Sequence, residues 1–285
     1  MSNDPPENHD LTPILADWPF EPGTINVRVI QGLDHLPKIQ VRLDLGVIQM
    51  SVDGRPDGQR PNGFSSLLEY FETRIDEAQE FGPPPETENG DEEAFETAGD
   101  AFAAGEDDDP PADPVPISLD GDDCRALREE AAQYYHRYVA LLVLEDFEGV
   151  IRDTTRNLRV ADLCRDYAED DRDREMLEQV RPYILMMRAR AIAGQALKDD
   201  VPKAAIAAVD DGLDALRSHY ERTEQPEEFE QSSEAQSLRQ MRDALVPKLP
   251  VSQKTELRER LHEAIKRENY ELAAILRNEL RMLGD

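Results

Sequence analysis

The sequence predicts a mostly α-helical fold: a small N-terminal α+β unit (a β-hairpin or meander plus a helix), central helical hairpins and a C-terminal helical hairpin. Three observations carry this. Apolar residues recur every three or four positions from about 117 to 223 and again after Ser252, the period of a helix with one buried stripe. Strict alternation is confined to 24–54, the period of a half-buried strand. Between the two lies 82–116, rich in Pro, Gly, Ala and acid, with no Lys or Arg between Arg74 and Arg125. Low hydrophobicity with charge of one sign predicts an acidic disordered linker there.

The expected organisation is therefore a flexible arm (1–23), the α+β unit (24–81), the acidic linker (82–116), a helical domain (117–223), an acidic connector with a short helix (224–250) and the terminal hairpin (251–285). In the arm, Trp18 and Phe20 flank Pro19, and an apolar triplet in a polar segment is expected to dock on its neighbour. Ile25, Val27 and Val29 alternate, so 24–31 reads as a strand. The segment 32–37 reads as a turn. Ile39, Val41, Leu43 and Leu45 then alternate on odd numbers and Ile48, Met50 and Val52 on even ones. A change of phase at Gly46 marks a bulge or tight turn. Asp53-Gly54 and Asp57-Gly58 are turn signals in 52–63. This loop lacks the acid spacing of a calcium site, and its Arg55 and Arg60 face solvent or an acidic partner. Phe64, Leu67, Leu68, Phe71 and Ile75 place a helix over 64–81, expected to cover the small sheet, because a sheet of two or three strands is marginal alone.

The helical domain divides into four. The first helix starts from Ser118 or Asp120 and runs to about Leu144. The second opens at 145–148, the third spans 176–197 and the fourth 201–220. The second and fourth open alike, DFEGVIRDTTRNL beside VPKAAIAAVDDGL, and resemble the second helix of a tetratricopeptide repeat (TPR). Ile151 and Ile206 stand 55 apart where such repeats recur every 34. A plain four-helix bundle is the alternative, and the distinction matters because only an open array leaves a concave face. A short helix is expected over 234–245, and 246–250, with two prolines, interrupts the chain before the hairpin.

The hairpin itself, SQKTELRERLHEAIKRENYELAAILRNELRML, carries Leu257, Leu261, Ala264 and Ile265 on one helix and Leu272, Ala273, Leu276, Leu280 and Leu283 on the other. Ser252 and Asn269 suit the two N-caps. With Glu268-Asn269-Tyr270-Glu271 at the break and Arg277-Asn278 beyond it, the pattern resembles the UVR motif of the excision-repair proteins UvrB and UvrC, also found in McsA-type and ClpC-type proteins. The resemblance covers about an eighth of the chain. It implies a helical hairpin for protein–protein contact, with Leu257, Leu261, Ala264, Ile265, Glu268, Tyr270, Ala273, Leu276, Arg277 and Leu280 as the partner-binding residues. The expected partner is another UVR hairpin, in a homodimer or in a second protein, or an AAA+ protein. The layout as a whole resembles UVR-motif proteins of planctomycete-like bacteria, which implies no activity.

Composition narrows the function further. The 285 residues hold 62 acidic against 32 basic side chains, a net charge of −30. A field of that sign repels phosphate backbones and anionic membranes, so direct nucleic-acid binding is disfavoured. From Ser252 onward seven basic residues balance seven acidic ones. Two cysteines without paired spacing, the absence of a long apolar run, and a start without basic or apolar regions together predict a soluble cytoplasmic protein. No CxxC, phosphate-binding GxxxxGK[ST], G-x-S-x-G or H-E-x-x-H occurs, so the zinc sites and ATPase engines that accompany the motif elsewhere are missing. Cys124 and His136 share one predicted helix three turns apart and cannot meet. The patch Tyr134-Tyr135-His136-Arg137-Tyr138 divides between core and surface. No catalytic, metal or cofactor residue is assigned. The expected function is a non-catalytic adaptor docking through the hairpin and the TPR-like helices. The alternatives are an accessory of excision repair acting through UvrB/UvrC-type partners, and an enzyme with a site on the N-terminal unit around Arg55 and Arg60.

Overall fold

The fold is known from a computed structural model that describes residues 10–81, 118–245, 253–267, 272–273 and 275–277. The expected linker over 82–116, the break before the hairpin and the caps at Ser252 and Asn269 lie outside these residues. The described chain is mostly helical, with one three-stranded antiparallel sheet near its N-terminus. Among the described residues no helix is long and apolar enough to cross a membrane.

The arm holds a short helix, α1 (Thr12–Asp17). Its Trp18 docks as expected: the Arg28 guanidinium lies 4.1 Å from the ring centroid, a cation–π contact, and Arg42 Nε donates to the Trp18 carbonyl at 2.8 Å. The sheet is a meander of β1 (Asn26–Gln31), β2 (Pro37–Arg42) and β3 (Val47–Ser51). Its register aligns Val27, Val41 and Ile48, and beside them Val29, Ile39 and Met50. The change of phase at Gly46 is the second turn, closed by Leu43 N–H donating to the Gly46 carbonyl. Leu43 and Leu45 therefore lie exposed outside the strands rather than extending β2.

The helix expected to cover this sheet does not. In α2 (Leu67–Phe81), Leu68, Phe71 and Ile75 are buried against Leu119, Leu127, Val160 and Cys164, all from the central helical segment. Ile39 and Met50 of the sheet are buried in a separate cluster with Tyr138, Leu141 and Val150. Sheet and helix thus dock side by side on α3 (Gly121–Val143) and α4 (Phe147–Tyr167). A large helical surface buries more of each than a three-stranded sheet can offer.

Asp120 caps α3 by accepting from the Asp122 and Asp123 N–H groups, and Asp146 caps α4 by accepting from Gly149 N–H. The third long helix begins later than its apolar pattern suggests. A short helix, α5 (Asp171–Met176), and a 3₁₀ turn, Glu178–Val180, precede α6 (Arg181–Lys198), whose Pro182 sits in the first turn, where no donor is needed. Then come α7 (Pro202–Arg222), α8 (Pro226–Gln231) and α9 (Ser233–Leu245). Helix α8 is absent from the sequence reading; it buries Phe229 within an acidic stretch.

These helices pack in chain order, α3 on α4, α4 on α6, α6 on α7, and α7 and α6 on α9. Three of the connections share one turn. Glu145, Asp200 and Glu224 have φ of 56°, 58° and 58°, and the next residue's N–H returns to the carbonyl five back: Asp146 to Leu141, Val201 to Ala196, Gln225 to Tyr220. This is the Schellman closure of a helix, and its repetition stacks successive helices as hairpins. At Gly212 a Cβ would come within 2.4 Å of Ala189 Cβ, so glycine permits the close approach of α7 to α6.

Candidate docking site

The first helix of the terminal hairpin is α10 (Gln253–Lys266), and the chain is helical again at 272–273 and 275–277. Leu261 and Ala264 are three apart on α10, and Ala273 and Leu276 are three apart on the return segment. Ala264, Ala273 and Leu276 are buried together, with Leu261 packed against them. The two alanines add little bulk between the segments, and Leu261 and Leu276 fill the space beside them. This seam is separate from the two clusters of the body.

The predicted binding residues therefore part company. Leu261, Ala264, Ala273 and Leu276 form the hairpin's own core. Ile265, read as part of the same stripe, is 52% exposed, and Ile275 is 55% exposed. A seam between two short helices is only one row of side chains wide, so Ile265, one position round from Ala264, is left outside it. Arg277 is exposed as well. Leu257 lies on α10, while Glu268, Tyr270 and Leu280 lie outside the described residues. Arg267 pairs with Glu263 at 2.5 Å along α10.

The other stretch singled out by sequence, the Arg55–Arg60 loop, is used within the fold. Fully buried Glu130 of α3 accepts from the Leu67 N–H at 2.9 Å, capping α2, and is paired by Arg55 at 3.1 Å and by Arg156. Burial, and then the nearby Arg55 cation, lower Arg156 to a pKa of about 9, which leaves it charged at neutral pH. Two helical turns further along α3, Arg137 forms a bidentate pair with buried Asp153 (2.6 and 2.8 Å) and donates to the Ser51 and Gly54 carbonyls. Arg152 reaches from Asp153 to Asp53 and to the Val52 carbonyl. Tyr134 supplies the shared wall, with the Arg137 and Arg156 guanidinium groups 4.8 and 4.1 Å from its centroid. The acidic partner of Arg55 is thus Glu130 of the same chain. Apart from Arg152, the neighbour of Asp153, the arginines that hold these two buried carboxylates lie 16 or more residues away, so the pairs carry no local sequence signal.

Cys124 and Cys164 are both buried, and burial pushes their thiols up to about 11 and about 12, which leaves them unreactive at neutral pH. Among the described residues no group of His, Cys, Asp and Glu has the makings of a metal site.

No curated protein matches the chain, and no solved structure does. Residues 252–285, the segment whose seam is built from Leu261, Ala264, Ala273 and Leu276, match the UVR family, the UvrB/uvrC motif, a motif of protein interaction rather than catalysis.

Proposed function

We propose that this protein is a non-catalytic adaptor whose C-terminal UVR hairpin docks on a partner protein while the stacked helices hold a second one. The observation that carries the reading is the hairpin's surface. Its seam is closed by four small or medium side chains, yet Ile265 and Ile275 remain more than half exposed, on a segment matching an interaction motif. Apolar side chains on so thin an element are what a partner hairpin would bury, with Arg277 at the rim setting register. The partner class is another UVR hairpin, in a second copy of the chain or in a UvrB/UvrC-type protein, or an AAA+ protein. The motif's place in UvrB and UvrC favours a second form of the reading, an accessory of excision repair. The charge of −30 assigns any such role to a protein contact rather than to DNA.

The test is affinity capture from native cytosol with the intact protein and with Ile265→Asp/Ile275→Asp, which changes the surface and spares the seam. Loss of specific partners from the variant is expected. Capture of the same partners by both would sink the reading. A duplex-DNA titration at low salt should show no binding.

A further inference from the structure

Helices α3 and α6 both pack on α4 and leave a trough between them. The trough is a cavity of about 460 Å³ walled by Tyr135, Tyr138, Leu177, Val180, Tyr183 and Ile184. Tyr135 stands edge-on to Tyr138 (centroids 5.5 Å apart) and tilted to Tyr183 (6.1 Å). Its floor is closed to polar ligands: Asn157 donates to the Ala131 carbonyl at 2.9 Å and accepts from Arg156. Arg128, the charged side chain of the lining, is spent on Asp173 at 2.5 Å. Yet Tyr135 and Val180 are 40% and 46% exposed at the mouth. This is a surface that offers apolar contact and little hydrogen bonding.

The surroundings are acidic. From 118 to 245 the chain carries 29 acidic and 18 basic residues. The turn and short helix that lead into Leu177 and Val180 hold Glu169, Asp170, Asp171, Asp173 and Glu175 against two cations, Arg172 and Arg174. We propose that this trough binds a protein segment that inserts an aromatic or large aliphatic side chain flanked by lysine or arginine. The anchor fills the tyrosine-lined cavity, and the cations answer the acidic turn beside it. An acidic segment would meet like charge on that side and be rejected. This names the chemistry of the second partner in the adaptor reading and rests on that reading, but it uses none of the hairpin's residues.

The test is selection of a random twelve-residue peptide library, displayed on phage, against the full chain. Three forms are used: wild type, Tyr135→Ala/Val180→Glu, and the hairpin variant Ile265→Asp/Ile275→Asp. Both altered trough positions are part-exposed, and an unchanged thermal midpoint verifies that the variant folds. Enriched peptides should carry an aromatic or aliphatic anchor with Lys or Arg within four residues. The best of them, synthesised, should bind the trough variant roughly tenfold more weakly, bind the hairpin variant normally, and weaken as salt rises. No enrichment, enrichment without basic residues, or equal binding to wild type and trough variant overturns the proposal. Binding lost only in the hairpin variant would also overturn it while leaving hairpin docking intact.

Discussion

The body and the hairpin are both built from paired amphipathic helices, but they are held together by different means. In the body, long capped helices enclose a large core, and two fully buried carboxylates, Glu130 and Asp153, are shared among Arg55, Arg137, Arg152 and Arg156. That network fastens the sheet, its following loop and α2 to one helical pair. In the hairpin, Leu261, Ala264, Ala273 and Leu276 are the whole described seam. A unit of fewer than about 40 residues rarely buries enough surface to be stable alone. The difference teaches where cooperativity resides. The body is expected to unfold as one unit, whereas the hairpin opens locally and gains its order from a partner.

The largest expected effect breaks the body at its buried charges. Asp153→Ala leaves Arg137 buried without its counter-charge, which costs about 3–5 kcal/mol, a large share of the roughly 5–15 kcal/mol of a typical domain. Urea unfolding should show that loss, and amide exchange should rise at Ser51–Gly54, whose carbonyls Arg137 holds. Arg137→Met with Asp153→Leu should recover most of it. A small loss on Asp153→Ala would mean that the network is not what unites the body.

A matched pair of truncations then sets region against region. Leu238 is fully buried among α6, α7 and α9, so Leu238→Ala should lower the main unfolding transition by about 2–5 kcal/mol. Leu276 is almost as buried, yet Leu276→Ala should leave that transition in place and raise exchange only in 253–277. If both substitutions lower the main transition equally, the hairpin belongs to the body's cooperative unit and the comparison fails.

Protonation gives a smaller effect, confined to the body. His219 is buried 3.6 Å from Glu178, with Arg222 and Arg181 near it. Burial, against the pull of Glu178, holds its pKa below the ordinary 6.5. The unfolded chain therefore binds a proton first as pH falls. The stabilisation is complete above pH 6.5 and is lost as pH drops through the lower folded value. Unfolding followed from pH 8 to 5.5 should show the body weakening below 6.5, and His219→Gln should flatten that slope. An equal slope in the variant would assign the dependence to other groups.

Much of this comparison was legible in the sequence, and the missing parts have physical causes. Helix starts at Asp120 and Asp146, the alternating strands and the hairpin's apolar spacing are local signals, and the fold class follows from them. A buried stripe does not say what buries it, so α2 was assigned to the sheet although its Leu68, Phe71 and Ile75 meet α3 and α4. The Arg137–Asp153 pair joins two helices, and nothing local marks it among so many charges. Helix α8 hid in acid because only Phe229 declares a buried face. At the candidate site the spacing identified the seam, but it could not separate the residues that close the hairpin from Ile265, which the narrow seam leaves outside.

The smallest effect tests the turn that stacks the body's hairpins. Asp200 sits at φ 58°, where a side chain crowds the backbone, and its carboxylate is exposed. Glycine adopts this geometry without the clash but has more unfolded-state freedom to lose. The first term is larger, since a left-handed non-glycine residue costs about 1–2 kcal/mol and the added entropy about 0.5–1 kcal/mol. Asp200→Gly should therefore stabilise the main transition by up to about 1 kcal/mol and leave exchange in the hairpin unchanged. The same substitution at Lys198, the last residue of α6, removes a good helix former and its bond to the Glu145 carbonyl and should destabilise by up to about 1 kcal/mol. Opposite signs two residues apart would place the gain in the turn, whereas loss at both positions would mean that the Val201–Ala196 closure does not hold the left-handed residue in place.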